Sequence, residues 1–532
     1  AFVTHASAVP MLAARRAARR LPRRLVAARQ YNFASTQYNA AFSREGWPDA
    51  GAAFCAKLRA DTVAYVEGFD ASTWSSDPVT TVLNGRPLTG GTLEPTVDAF
   101  GRENGAVVQA TPAEVDAVLK HMLEYAPPKT DYREEVRAIE AAIFDVAGGS
   151  RWPAFLVGNQ ALDFHKQDGI TEIEESVEAN TIERRLVDQL LADEAAGVLE
   201  VSRAPAYVAC VSNFSNFLDL CRKGLRNLEL GVPIVVLSRA NTTQHMYRWT
   251  QMLLQLCAAH GVDAGMVTYL AAPKEEQGRV FAAASPASPL YFTGSREVAR
   301  VLRGLHGPVM ASTGGPNTLV STAVTPEVEG AIQLSATIEN SGQCTALRHA
   351  VVNCSDADVE RMLAGVPVVS SSADALRRGQ FAGLFDFAAT PAAAAGFTRH
   401  PQNDAVSFRT SAELPADDID EHWRNVFVDV TSPGVDVSSP AFVEALCAWL
   451  VRHQPITVAV NAEEGAFGLA KTIWEQTGQV VFTVGTLQQP ALTCQARPQD
   501  GEVFGEFPPR RELTEHTKFP VLVPTPTPAY NS

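Results

Sequence analysis

The sequence predicts an α/β protein: two doubly wound α/β domains with a helical N-terminal part. Two observations carry this. From about Ala204 short apolar runs alternate with amphipathic segments, and from Val309 the same alternation resumes. Strands separated by helices in this way build parallel sheets covered on both faces. Length agrees, because 532 residues exceed what a single hydrophobic core serves.

Taken in order, residues 1–31 stand apart. The first 30, "AFVTHASAVPMLAARRAARRLPRRLVAARQ", hold seven Arg and no Asp or Glu, and the first acid is Glu45. An Arg-rich, Ala-rich, acid-free amphipathic stretch is the pattern of a mitochondrial transit segment; a basic arm for RNA or anionic lipid is the alternative. The formal net charge is −15, so the chain beyond those arginines carries −22. Such an acidic body argues against nucleic acid as a partner. No stretch approaches the ~18–20 unbroken apolar residues of a membrane span, so no transmembrane segment is expected.

The first domain is placed at 42–308. Phe42 to Leu199 reads as mainly helical. "TPAEVDAVLKHMLEYA" opens on Thr111 with Glu114 three residues on, a capping-box pattern. "DYREEVRAIEAAIFDVA" and "TIERRLVDQLLADEAA" repeat apolar residues at three-to-four spacing. After Ala204, "AYVACVS" is a strand, "NFLDLCRKGLRNLEL" a helix, "VPIVVLS" a strand, and "MYRWTQMLLQLCAAHG" a helix ending at Gly261. "AGMVTYLAA" and "PLYFTG" supply two more strands. The polar-aromatic "LSRANTTQHMYRW" is read as a helix start capped by Asn241 or Thr242, with an interaction face as the alternative. In such a sheet, ligands sit outside the carboxyl ends of the strands.

The second domain is placed at 309–475, with strands at "NTLVST", "RHAVVN", "NVFVDV" and "PITVAVN" and a helix at "DADVERMLAG". "TPAAAAGFTRHPQNDA" reads as an exposed surface loop. Residues 476–532 form a divergent, Pro-rich extension ending "KFPVLVPTPTPAYNS". Its prolines disfavour interior sheet pairing, and its apolar "FPVLV" is expected to lie along another polypeptide.

The eight cysteines are scattered, with no C-x-x-C and no Cys/His pair at zinc spacing, so no metal site or disulfide framework is expected. Most read as small buried hydrophobes. His245, His306 and His349 stand alone, with no Gly-x-Ser-x-Gly elbow to recruit them.

Four segments occur in a specific order: "YFTGSREVARVL", "ASTGGPNTLV", "ENSGQCTALRHAVV" and "AFGLA". Together they resemble the aldehyde dehydrogenase superfamily, closest in style to its pyrroline-5-carboxylate (glutamate-semialdehyde) branch, over roughly Ala204 to Ala470. The resemblance implies a cofactor-binding-type first domain and a catalytic-type second one. It implies NAD(P)-linked aldehyde oxidation: a Cys nucleophile, an oxyanion-holding Asn, a general-base Glu before a Gly-Gly pair, and a Lys on the adenosine ribose.

Each of those positions is altered here. Ser312 stands where the family has the base, just before Thr313-Gly314-Gly315, and a hydroxyl cannot serve a role worth ~10²–10⁴ in rate. Cys344, at the nucleophile position, follows Gln343 directly, one residue short of the family turn. A residue of chain spans ~3.8 Å, whereas catalytic placement tolerates about 1 Å. At the oxyanion segment Ser215 falls in register and Asn216 reaches the position only with a slip. The cofactor Lys is replaced by Ser238, with Arg239 adjacent. Glu421 lies near the nicotinamide-ribose position, but without the family's Glu-x-Phe-Gly-Pro turn. Thr293, Gly294 and Ser295 retain the strand-to-helix turn whose backbone N–H groups receive a pyrophosphate in the family.

The expectation is therefore an inactive aldehyde dehydrogenase homologue without a cofactor, kept as a structural or accessory subunit among other proteins of a mitochondrial complex. Its place is the matrix or the matrix face of the inner membrane, with ATP synthase foremost among energy-converting assemblies. The alternatives are an active NAD-dependent semialdehyde dehydrogenase of the matrix and a sensor that binds NAD(P) without turnover.

Overall fold

The computed structural model describes residues 78–483 apart from 99–102, 146–147, 165–168, 210–219, 239–240, 295, 308, 314–315, 327, 330, 333–346, 365–390, 401–405, 416–427, 454, 456, 463–465 and 478–479, together with 60–61, 64, 503–504 and 521–522. The transit-like segment 1–31 lies outside the described residues. Those described fall into two compact units that meet in sequence at Ser312/Thr313, and the first unit takes back the last short strand.

The first unit opens on strands. Strands β1 (Thr81–Leu83) and β2 (Arg86–Leu88) form a hairpin, and β3 (Thr92–Val97) and β4 (Glu103–Gln109) form another. Asn84 and Gly85 link the first pair with φ of 52° and 70°. Two successive positive-φ residues make the turn whose twist matches a hairpin, and Asn-Gly is its strongest sequence signal. The expected helical stretch is found at Pro112–Ala195, and two hairpins precede it, where the Asn-Gly turn decides the local path.

Helices follow: α1 (Pro112–Glu124), α2 (Arg133–Phe144), α3 (Trp152–Phe164) and α4 (Gly169–Ala195). The capping box at α1 is present in full. Thr111 Oγ1 accepts from the Glu114 backbone N–H at 3.2 Å, and the Glu114 carboxylate accepts from the Thr111 backbone N–H at 2.8 Å.

After β5 (Glu200–Val201) the chain alternates as expected through β6 (Ala206–Ala209), a π-helical turn (Cys221–Leu225) running into α5 (Arg226–Glu229), β7 (Ile234–Leu237), α6 (Thr243–His260), β8 (Val267–Leu270), α7 (Lys274–Ala283), β9 (Leu290–Gly294), α8 (Arg296–Leu305) and β10 (Val309–Thr313). Gly261 ends α6 in the left-handed conformation, φ 75°. Thr242 takes the N-cap position of α6, although its side chain makes no capping hydrogen bond. The seven-stranded sheet runs β10-β9-β6-β7-β8-β1-β2, with β9, β6, β7 and β8 mutually parallel. Strand order reverses between β6 and β9, which puts the topological switch point there. β10 joins this sheet rather than opening the second one, so the expected start of the second rhythm at Val309 is corrected; a strand beside β9 completes the edge before the chain leaves the unit.

In the second unit β11 (Thr318–Ser321), β12 (His349–Val352), α9 (Asp356–Ala364), α10 (Pro391–Ala394), β13 (Thr398–Arg399), β14 (Val406–Thr410), β15 (Val428–Ser432), α11 (Pro440–His453), β16 (Thr457–Asn461), α12 (Ala466–Thr477), β17 (Val480–Thr483) and β18 (Val503–Phe504) build an eight-stranded sheet, order β13-β14-β15-β12-β11-β16-β17-β18. Only its outer pairs, β13 with β14 and β17 with β18, are antiparallel. Leu319 belongs to the core on one face and Val320 to the core on the other, the period-two signature of a strand buried on both sides. The segment expected to be an exposed loop, residues 390–405, carries α10 and β13, with Ala392, Phe397 and His400 buried; 390 and 401–405 lie outside the described residues. Its Gly, Pro and polar residues suggest a loop locally, but Phe397 packs into the core of the second unit and β13 pairs with β14 at the sheet edge.

Of the Pro-rich extension 476–532, β17 and β18 close the second sheet. β19 (Val521–Leu522) pairs antiparallel with Glu200–Val201 of its own chain.

Candidate functional site

The switch point of the first sheet is formed by the carboxyl ends of β6 and β9. Beyond β6 lie Ser215 and Asn216, both outside the described residues. β9 ends in Thr293 and Gly294, half-buried; Ser295 lies outside the described residues. Gly294 is required by packing, because a Cβ there would stand 2.3 Å from the Phe292 ring. Against this turn the π-helical segment delivers Lys223, 4% exposed, whose ammonium donates to Thr293 Oγ1 at 2.9 Å. Asn227, on the following turn, donates to the Lys223 carbonyl at 2.6 Å and holds the segment in place. Sequence reading missed Lys223. The available signal was a cation inside an otherwise core-facing helix, where an unpaired charge is costly.

Two strands over, the end of β7 is closed. Ser238 is buried, and its Oγ lies 2.8 Å from Tyr269 Oη, while Tyr269 Oη donates to the Thr243 carbonyl at 3.1 Å. With that proton committed, the Ser238 hydroxyl donates to Tyr269. From α7, Gln277 Nε2 donates to the Ser238 carbonyl at 3.1 Å and to the Ala272 carbonyl at 2.8 Å. One amide thus ties α7 across the carboxyl ends of β7 and β8. Ser238 points into a hydroxyl network and presents no cation to a crevice; Arg239 lies outside the described residues. Ser238 and Thr293 are separated by β6, about 10 Å across two strand spacings.

Ser312 lies on β10, the edge strand. Gly314, Gly315, Cys344 and Glu421 lie outside the described residues. Three of the four described thiols are sequestered from reaction. Cys221, Cys257 and Cys447 are buried, and burial pushes Cys257 up to about 12 and Cys447 up to about 11. The histidines are committed to packing: His306 Nε2 donates to the Ser288 carbonyl at 2.6 Å, and burial pushes His245 and His349 down to about 3. No cluster of three His, Cys, Asp or Glu suited to a metal occurs among the described residues.

No protein-family model and no curated protein matches the sequence. Solved structures do. The chain is similar to the Δ-pyrroline-5-carboxylate dehydrogenase of Mycobacterium tuberculosis bound with NAD and cobalamin, at TM-score 0.58 and 14% identity over 88% of this chain and 91% of that one. This chain has the aldehyde dehydrogenase fold. The NAD-dependent benzaldehyde dehydrogenase of Corynebacterium glutamicum aligns at TM-score 0.55 and 15% identity, covering 76% of this chain and 93% of that one. Betaine aldehyde dehydrogenase of Staphylococcus aureus, in complex with NAD+, aligns at 0.54 and 12%, covering 76% and 86%. The aldehyde dehydrogenase fold accounts for the unusual switch of chain between two doubly wound sheets. In an open parallel sheet such as this one, ligands bind outside the carboxyl ends of the strands, here those of β6, β7, β8 and β9. At the ribose end the residues do not fit a dinucleotide: Ser238 carries no positive charge and faces inward. At the turn they do fit, since Thr293, Gly294 and the buried ammonium of Lys223 suit a phosphate.

Proposed function

We propose that this protein is a catalytically inactive member of the aldehyde dehydrogenase fold, retained as a structural or accessory subunit of a mitochondrial complex. An inner-membrane energy-converting assembly, ATP synthase foremost, is the setting proposed. The observation that carries the loss of activity is the closed end of β7, where the Ser238–Tyr269–Thr243 network and Gln277 occupy the place of the family's cofactor lysine. Ser312 in place of the general base supports the same reading. Mitochondrial placement is supported by the seven arginines and absent acids of the first 30 residues.

The test is twofold. Purified protein offered NAD+ or NADP+ with glutamate semialdehyde or simple aldehydes should show no turnover. Turnover that Cys344→Ala abolishes would establish the active semialdehyde dehydrogenase instead. Native electrophoresis of mitochondria should place the protein in a large assembly; migration as a free protein removes the subunit proposal.

A second reading, a dinucleotide sensor without turnover, is favoured by Lys223 at the Thr293–Gly294 turn. It expects NADH fluorescence to report binding that Lys223→Met weakens. Absence of binding in the unaltered protein discards it.

A further inference from the structure

The π-helical segment Cys221–Leu225 carries Lys223, and buried charge beside it holds it in shape. A π turn is a rare departure from the α-helical ladder, mostly a single turn long, and it recurs at functional sites. Here the segment is clamped from three helices. From α6, Trp249 presses on Gly224, where an added Cβ would stand 3.0 Å from the indole ring. From α2, Glu140 pairs with Arg226, the residue that follows the turn. From α4, the Asn180 carbonyl accepts from Arg226 Nη1 at 3.4 Å. Arg226 and Glu140 are both buried, and a charge so deep stays only where an opposite charge meets it. Glu229 lies 3.5 Å from Arg226 but is shared with Arg137, so Glu140 is the carboxylate that fixes the guanidinium. One residue on, Asn227 donates to the Lys223 carbonyl at 2.6 Å, and the Lys223 ammonium reaches Thr293 Oγ1 at 2.9 Å.

We infer that Arg226 and Asn227 are positioning residues for Lys223. The guanidinium, fixed by Glu140, sets the turn; the Asn227 amide fixes the backbone of Lys223; together they stand the ammonium at the end of β9. Resting on the dinucleotide-sensor reading, this makes two side chains that act only through Lys223 determinants of ligand affinity. A cluster that served stability alone would behave differently. Half-buried Arg184 pairs with the same Glu140, so its loss weakens the cluster and leaves Arg226 in place.

The test labels the native full-length protein with acetic anhydride and reads each lysine by mass spectrometry. In the unaltered protein Lys223 should be protected, while the exposed Lys120 and Lys471 react freely. Arg226→Met leaves Glu140 to Arg184 and Glu229 to Arg137, so neither carboxylate is stranded. It should raise Lys223 labelling about tenfold, the local opening that loss of one tether allows, with Lys120 and Lys471 unchanged. Arg184→Met should leave Lys223 protected. Asn227→Ala alters no charge and should expose Lys223 in the same way, which keeps the inference testable should Arg226→Met fail to fold. Continued protection of Lys223 in either folded variant overturns the inference, and so does an equal rise in Arg184→Met. NADH fluorescence separates the two readings, because Arg226→Met should weaken binding about as much as Lys223→Met. Equal binding by Arg226→Met and the unaltered protein overturns the inference as well. If the unaltered protein binds no NADH, the sensor reading falls and the labelling alone decides the positioning role.

Discussion

Arg226 has no exposed surface, and what keeps it charged is a set of carboxylates from its own and neighbouring helices. It pairs with Glu140 of α2 and lies 3.5 Å from Glu229 of its own turn; Arg137 reaches Glu229 at 3.0 Å, and Arg184 also reaches Glu140. Burial alone would raise the Glu140 carboxyl, yet Arg226 and then Arg184 hold it below its ordinary value. Removing one partner strands a buried charge, so Glu140→Ala should cost about 3–5 kcal/mol in urea unfolding. The histidines act in the opposite sense. His349 is pushed down to about 3 by burial first, and then by Arg409 and His453, while Thr431, Trp449 and Phe397 pack around it. The folded state keeps it neutral where the unfolded chain, near its ordinary 6.5, binds a proton. Stability is therefore intact above about pH 6.5 and lost as pH falls toward about 3. His245 follows the same sign. At pH 4.5 each should cost roughly 3 kcal/mol relative to pH 7, and His349→Leu should flatten the pH dependence of unfolding.

At the scale of elements, caps and turns decide where structure begins. Thr111 and Glu114 start α1 with a reciprocal pair of hydrogen bonds, so Thr111→Ala should lower stability by about 1 kcal/mol with an unchanged denaturant slope. Gly85 sits at φ 70°, and a Cβ there would lie 3.3 Å from Ala264 Cβ. Gly85→Val should cost more than the cap, about 1–2 kcal/mol from the left-handed backbone alone, read as a fall in denaturation midpoint. The capping box and the Gly261 stop were legible because their chemistry is local. The β1–β2 hairpin was equally local in its Asn-Gly turn, but its flanking runs are only three residues each. Helical periodicity on either side outweighed them.

Across the whole molecule, the order of strands is what separates the closed end of β7 from the turn at β9. Deleting residues 518–532 removes one two-residue ladder, so both units should stay folded, with a small change in thermal midpoint; a global collapse would mean that β19 matters beyond its pairing. By itself the sequence determined the alternation of strands and helices, the family resemblance, and the substitutions at positions 312, 238 and 344. Each follows from runs of a few neighbouring residues. Only the tertiary structure decided that β10 completes the first sheet, that Thr398–Arg399 joins the second, and that β19 returns to β5. It alone brought Lys223 to Thr293, 70 residues apart, and Gln277 to the Ser238 carbonyl, 39 apart. Contacts at that separation are set by sheet order and packing, and a strand's own residues do not encode which neighbour will stand beside it.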